Sequence, residues 1–320
     1  MSFFKIIAMS LVLISLWGCS EDDIFQELAG NRELIVVTRN SPTTYYFDGD
    51  QASGFEYDLI KAYATARGYT LRVEVAFTLE EFTLQLDQGQ VHLGAAGMAI
   101  NSKRAGTLLA TAPYLQQRPV VIYKSGKRRP RRLADLSRKD VIVLSGSSHI
   151  EVLENLKEQV PLLTWREVQT GDTLELMQLI TEEKAELAVL GAEEFRLQQQ
   201  LYPRLVAALD LEVEESIAWY LPNIAGADVL LADINLFLAA AQQSGELEKI
   251  RERHFGATRF SSRMGAFTFN RRVESVLPKW QPLIERVATE YQMDWRLLAA
   301  VSYQESHWNP TARSPTGVEG

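Results

Sequence analysis

The sequence predicts an α/β fold with largely parallel sheets over residues 31–256, followed by a short all-helical stretch over 271–320. Three observations carry this. Short strand-like runs alternate with helix-length amphipathic segments through the long middle, as βαβ units require. Helix-stop residues such as Gly68 punctuate that alternation. Beyond about residue 270, apolar residues recur at helical spacing alone. With 320 residues, 46% apolar and 23% charged, the chain has room for about two domains. A net charge of -8 argues against general nucleic-acid binding.

The first residues stand apart. Lys5 precedes an apolar run from Ile6 to Trp17 that is too short to span a bilayer. Residues 1–19 read as a signal peptide and 20–30 as a short polar tether. Cys19 is the only cysteine, which excludes an intramolecular disulfide. Leu16-Trp17-Gly18-Cys19 resembles the lipobox of bacterial lipoproteins. The resemblance implies acylation of Cys19, and Ser20 after it implies the outer membrane. Several acyl chains would hold the protein there, since one alone binds marginally.

The middle is read in order. Leu34 to Thr38 is a strand, and Glu56 to Arg67 is a helix through Tyr57, Ile60 and Ala64. Leu71–Ala76, Leu79–Gln88 and His92–Ala96 follow as strand, helix and strand. Val120–Tyr123 and Val141–Leu144 are strands; Ser148 to about Gln159 and Asp172–Glu183 are helices. Strands at Leu187–Leu190 and Ile217–Leu221 lead into helices at Ala227–Gln243 and Glu246–Arg253. Among these elements, Arg104 offers a planar fork suited to a carboxylate. Gly97 would let a ligand approach the backbone. Ser147 and Ser148 precede a helix whose free N–H groups favour an anion. Tyr45 and Tyr46 could wall such a site. A surface ion pair, a helix cap and core aromatics would use the same residues.

Gly54-Phe55-Glu56-Tyr57-Asp58-Leu59 and Ala95 to Arg104 resemble extracellular solute-binding proteins of the amino-acid-binding type. Pro113-Tyr114, Ser145 to Ser148 and Gly171-Asp172-Thr173 through Met177 add to the likeness. That resemblance implies a bilobed periplasmic-binding-protein-like domain. Lobe one would hold 31–121 and 216–256, and lobe two 122–215. The cationic run from Lys124 to Lys139 cannot bury itself and would be a solvated interlobe connection. The ligand would lie among Tyr46, Gly97, Arg104, Ser147 and Thr173. Two departures matter. Ala99 stands where the family often has a threonine, and Val189-Leu190-Gly191 stands where it places an acid for the ligand ammonium group. An unpaired buried cation is costly, so an ordinary free amino acid is disfavoured.

Residues 257–270 form a linker carrying Phe260, Phe267 and Phe269. Pro278 and Pro282 introduce a helix with Leu283, Val287 and Tyr291 on one side and Ile284 and Ala288 beside them. Asp294 caps the next helix, on which Leu297, Val301 and Glu305 share an apolar face, with Leu298 adding to the same side. A carboxyl there, near the negative helix end, would stay protonated and serve as a general acid. Glu305-Ser306, Trp308-Asn309-Pro310, Ala312 and Ser314-Pro315-Thr316-Gly317 resemble the first catalytic motif of lysozyme-like lytic murein transglycosylases. The whole arrangement resembles the membrane-bound F type of that family. Residues 271–320 would then be the start of an incomplete α-helical lysozyme-like domain, because the family's later motifs are not here. The resemblance implies Glu305 as catalytic acid and base, Ser314 as a sugar contact, and peptidoglycan glycan strands as substrate. It implies a 1,6-anhydro product and a regulatory domain sensing cell-wall peptides or muropeptides. No cofactor or metal is expected, the four histidines being scattered. The competing expectation is a non-enzymatic solute-binding lipoprotein.

Overall fold

The computed structural model describes residues 24–48, 51–170, 172–256, 272–273, 275–306 and 308. Its first sheet is built on β1 (Glu33–Arg39), whose alternate residues Leu34 and Val36 are fully buried. After a short antiparallel hairpin of β2 (Tyr46–Asp48) and β3 (Gln51–Ser53), β4 (Thr70–Ala76) and β5 (Leu93–Ala95) flank β1 in parallel. β14 (Tyr220–Pro222) and β6 (Leu108–Ala110) complete the sheet antiparallel, in the order β4-β1-β5-β14-β6. The parallel pairs need crossovers. α2 (Phe55–Arg67) and α3 (Leu79–Asp87) supply them and bury Leu59, Tyr63, Phe82 and Leu86. Gly68, in the left-handed conformation, closes α2 as its sequence position predicts.

The second sheet has the order β10 (Trp165–Val168), β9 (Val141–Leu144), β11 (Leu187–Gly191), β8 (Pro119–Lys124), β12 (Leu205–Asp210). β9, β10 and β11 run parallel. β8 and β12 close it antiparallel. α4 (His149–Leu156) packs on one face and α5 (Thr173–Thr181) on the other. The chain passes between the sheets at β7 (Leu115–Gln117) and β13 (Glu215–Ile217), which pair antiparallel with each other. The first crossing therefore falls at 115–117. Residues 119–121, expected in lobe one, are paired into the second sheet by β11 and β12. The Lys124–Lys139 run is not an interlobe connection either. It joins β8 to β9 within lobe two, where Lys124 and Lys127 both grip Glu183 (2.8 and 2.6 Å).

The expected polar tether is partly structure. α1 (Ile24–Asn31) buries Ile24, Phe25 and Leu28 in the first lobe's core. His92 fixes it: Nδ1 accepts the Ile35 N–H (2.9 Å), so Nε2 carries the proton and donates to the Ile24 carbonyl (2.8 Å). Burial lowers the His92 pKa, which keeps this neutral tautomer. α7 (Ala227–Ser244) and α8 (Glu246–Phe255) cover the same core through Ile234, Phe237 and Ile250.

At the C-terminal end, α9 (Leu277–Glu290) and α10 (Trp295–Ser306) pack through Ile284, Ala288, Ala299 and Trp308. Asp294 caps α10 by accepting the Arg296 N–H (2.8 Å). The Trp308 indole donates to the Ala299 carbonyl (2.9 Å), folding the chain back on the helix. The buried face differs from the expected one. Leu297 and Val301 are 55% and 49% exposed, and Leu283 and Tyr291 are also exposed. Of the expected face only Leu298 packs against the neighbouring helix, and the buried stripe runs beside it through Ala299 and Ser302. Glu305 lies in the last turn of α10, but its side chain is outside the described residues, as are Cys19 and Ser314.

Candidate ligand cleft

The two sheets point the C-terminal ends of their parallel strands at one cleft, the position where open α/β sheets bind ligands. β1 ends on Arg39, and the following turn carries Ser41, Thr43 and Thr44. That turn is strapped to the start of α2: Thr43 and Thr44 carbonyls accept the Glu56 and Tyr57 N–H groups (3.2 and 3.0 Å). Gly54 permits the fit. Its φ is +135°, and a Cβ there would stand 2.2 Å from the Thr44 carbonyl oxygen.

Glu56 is thereby carried into the interior, 1% exposed. It accepts the Gly97 N–H at Oε2 (2.8 Å) and a bond from the Tyr114 hydroxyl at Oε1. Burial raises its pKa to about 8, outweighing the Gly97 bond and the nearby Arg39 charge. The carboxyl is neutral at pH 7.

Arg39 faces lobe two. Its Nη2 meets Glu194 Oε2 at 2.9 Å, with both side chains less than 10% exposed. Nε donates to the Ala96 carbonyl (2.8 Å), and the Ser41 hydroxyl donates to Glu194 Oε1 (2.7 Å). Burial alone would raise the Glu194 pKa; the Arg39 guanidinium reverses that and holds it below the ordinary carboxylate range. Glu194 is in the first turn of α6 (Ala192–Gln198), directly after β11. The cavity between these groups is about 50 Å³, lined also by Thr43, Ser147, His149, Thr173 and Gly191. That volume admits water and no organic ligand of amino-acid size. The lobes are closed on their own side chains.

The sequence-predicted residues divide among three places. Gly97, Ser147, Ser148 and Thr173 line the cavity. Thr173 donates to Gln198 Oε1 (2.7 Å), while Ser147 Oγ has no hydrogen-bond partner among the described residues. Arg104 lies elsewhere. Its guanidinium donates to the carbonyls of Gly146 in lobe two (2.9 Å) and Ala99 in lobe one (2.7 Å), stacked near the Tyr220 ring. It acts as a strut between lobes, with its fork occupied by backbone. Tyr46 borders a separate outer groove with Tyr45, Phe47, Phe77 and Asp172. Sequence reasoning missed Arg39, Glu56 and Glu194. Glu194 offered one signal: it is three residues beyond Gly191, where an acid was found wanting. Across the hinge, His149 Nε2 stands 3.2 Å from Glu215 Oε2, a further buried polar pair.

Residues 34–257 match the bacterial extracellular solute-binding proteins, family 3, and residues 282–320 match the Transglycosylase SLT domain. A membrane-bound lytic murein transglycosylase F of Ectopseudomonas mendocina is 36% identical over 313 residues, covering 96% of this chain and 64% of the relative. The protein of that name from Photobacterium profundum is 36% identical, covering 99% of this chain and 62% of its own length. The chain thus spans less than two thirds of these curated relatives. Among solved structures, a mutant of ArgBP from T. maritima superposes with a TM-score of 0.64 at 21% identity, over 73% of this chain and 99% of that one. A histidine kinase sensor domain similar to periplasmic binding proteins gives 0.61 at 20%, over 71% and 97%. These likenesses agree with the bilobed fold described above. By its two crossed-over lobes and by the family match over 34–257, this chain belongs to the bacterial extracellular solute-binding proteins, family 3, and carries a Transglycosylase SLT segment behind that domain.

Proposed function

We propose that this chain is part of a peptidoglycan lytic transglycosylase whose family 3 domain senses cell-wall peptides or muropeptides. One observation carries the reading: relatives named membrane-bound lytic murein transglycosylase F align across both the solute-binding region and the SLT segment, in the same order. In this reading Glu305 protonates the glycosidic oxygen between N-acetylmuramic acid and N-acetylglucosamine. The carboxylate then takes the proton of the muramic 6-hydroxyl as O6 bonds to C1. The bond to the leaving sugar breaks, a 1,6-anhydro ring forms, and no water is consumed. One carboxyl therefore serves as acid and then base. The sugar's own N-acetyl group replaces the second carboxylate that most glycosidases need. Ser314 contacts the sugar, and acylation at Cys19 holds the protein at the periplasmic face of the outer membrane.

The test is to incubate the intact protein with purified peptidoglycan and analyse the products by mass spectrometry. Anhydro-muropeptides that disappear with Glu305→Gln are the expected result. Anhydro products that persist in that variant remove Glu305 from the mechanism. Ligand binding without any glycan cleavage would leave a non-enzymatic solute-binding lipoprotein.

A further inference from the structure

Lobe two carries a concentration of charge that neither the cleft nor glycan cleavage uses. From Lys124 to Lys139 stand eight cations against one acid, Asp135, a net +7. The whole chain is -8, so the remaining residues carry -15. Such a run repels itself, and the fold holds it in place against that repulsion. Pro130 is buried at its middle, and the Arg129 guanidinium donates to the Ala208 carbonyl (3.1 Å). Asp135 accepts the N–H groups of Arg131 and Arg132 (2.9 and 3.1 Å). Lys124 and Lys127 share Glu183, and Lys139 pairs with Glu186 (2.6 Å). Among the described residues, the guanidinium groups of Arg128, Arg131 and Arg138 meet no carboxylate, and all three residues are exposed. Lys124, Lys127, Arg128 and Lys139 ring a groove of about 240 Å³ together with the two glutamates. Its place in the fold matters. Lys139 stands just ahead of β9, and Tyr123 in β8 pairs with Leu187, the first residue of β11. The run therefore lies at the N-terminal ends of lobe two's parallel strands, away from the cleft. α1 holds the corresponding place in lobe one: it leads into β1 and is fixed by His92, next to β5. The Cys19 end of the chain and the cationic run thus occupy opposite ends of the bilobed body.

We propose that the Lys124–Lys139 face of lobe two is a docking surface for the free carboxylates of peptidoglycan stem peptides, separate from both the ligand cleft and the SLT segment. An anchor at Cys19 turns this face away from the membrane and toward the wall. The wall presents carboxylates in a dense array, and exposed guanidinium forks match them in pairs. Anionic lipid is the other dense polyanion, and it lies on the anchor's side of the molecule. Each exposed pair is weak and screened by salt, so only the sum of several holds the face in place. Docking of this kind exchanges readily and leaves the wall's glycan free for cleavage. The inference rests on the proposed reading of a lipid-anchored peptidoglycan enzyme, and it adds a second contact with the same polymer.

Pelleting of the intact, detergent-solubilised protein with purified sacculi tests this. Every protein carries Glu305→Gln, so that the sacculi stay whole. One batch of sacculi is native; in the other the carboxyls are amidated, which leaves the glycan unchanged. The double variant Arg128→Glu, Arg131→Glu should bind native sacculi at least about fourfold more weakly than the parent, from two attractions lost and two repulsions gained at the weak end for surface pairs. On amidated sacculi the two proteins should bind alike. Lys61→Glu with Lys249→Glu makes the same change of charge on lobe one, and should stay within about twofold of the parent because the distance is screened. Equal loss in both double variants reduces the effect to net charge and overturns the inference, as does a loop variant that binds native sacculi like the parent. Either result leaves the enzyme reading intact, since sacculi are still bound. A loop variant that loses binding only to vesicles of equal parts phosphatidylglycerol and phosphatidylethanolamine gives the face to lipid, and overturns the inference too. Sacculi that bind none of the proteins overturn both the inference and the reading beneath it.

Discussion

Replacing Glu56 by glutamine should change how stability depends on pH, by an amount that follows from its surroundings. In the native protein the Glu56 carboxyl titrates at about 8 and in the unfolded chain near its ordinary 4.5. Below 4.5 both states hold the proton and there is no penalty. Between 4.5 and 8 the unfolded chain releases it while the folded one keeps it, so stability falls as pH rises. Above about 8 both are ionised and the loss is complete. At 1.36 kcal/mol per tenfold, that interval is worth up to about 5 kcal/mol. Glutamine preserves the shape: its carbonyl can accept the Gly97 N–H and its amide can donate to the Tyr114 oxygen. It has no proton to lose. Urea denaturation of both proteins from pH 4.5 to 9 gives the difference directly, and titrations common to both cancel. The unsubstituted protein should lose ground to Glu56→Gln by roughly 1.4 kcal/mol per pH unit up to about pH 8, then stop. A flat difference, or one that moves the opposite way, would refute the argument that burial governs this group.

Gly54→Ala should cost at least about 3 kcal/mol, because its Cβ meets fixed backbone at 2.2 Å and its φ is strained. Gly97→Ala should cost only about 1 kcal/mol, since its nearest neighbours are side-chain atoms at 3.4 Å or beyond and strain at φ +65° dominates; urea midpoints distinguish the two. Arg104→Ala removes bonds to both lobes and should shift the ligand-free protein toward open forms, seen as a larger radius of gyration in small-angle scattering. Leu59→Ala empties a fully buried position and should lower stability by about 2–5 kcal/mol by the same denaturation measurement.

Much of the fold was legible because local pattern and tertiary demand agree. Leu34 to Thr38 is apolar enough to be a central strand and is one. Where they diverge, the sequence was silent. β10 is an edge strand reading Trp165-Arg166-Glu167-Val168, with its charges in solvent, so neither hydrophobicity nor alternation marks it. α1 looked like a tether because its eight residues make only about two turns, too few to show a helical repeat, and only the partner core reveals the use of Ile24, Phe25 and Leu28. The same divergence hid the cleft's ion pair. Arg39 is the last residue of its strand, where surface cations are common, and its charge is paired by a glutamate 155 positions away. Arg104 was noticed for its chemistry, but a guanidinium also satisfies carbonyls, and the fold gave it two. On α10, both Leu297-Val301 and the stripe beside it are apolar enough to face a core. Trp308 decides between them by bonding to Ala299.

The docking of α1 has a mechanical corollary. Five residue steps separate Cys19 from Ile24, a leash of at most about 18 Å when fully stretched. An acylated Cys19 would therefore moor lobe one close beneath the lipid headgroups. Lobe two, covalently continuous with lobe one through its paired crossings and tied to it by Arg104 and the Arg39–Glu194 pair, would be the part that swings when those ties release, and each opening of the cleft would be a displacement measured from the membrane outward.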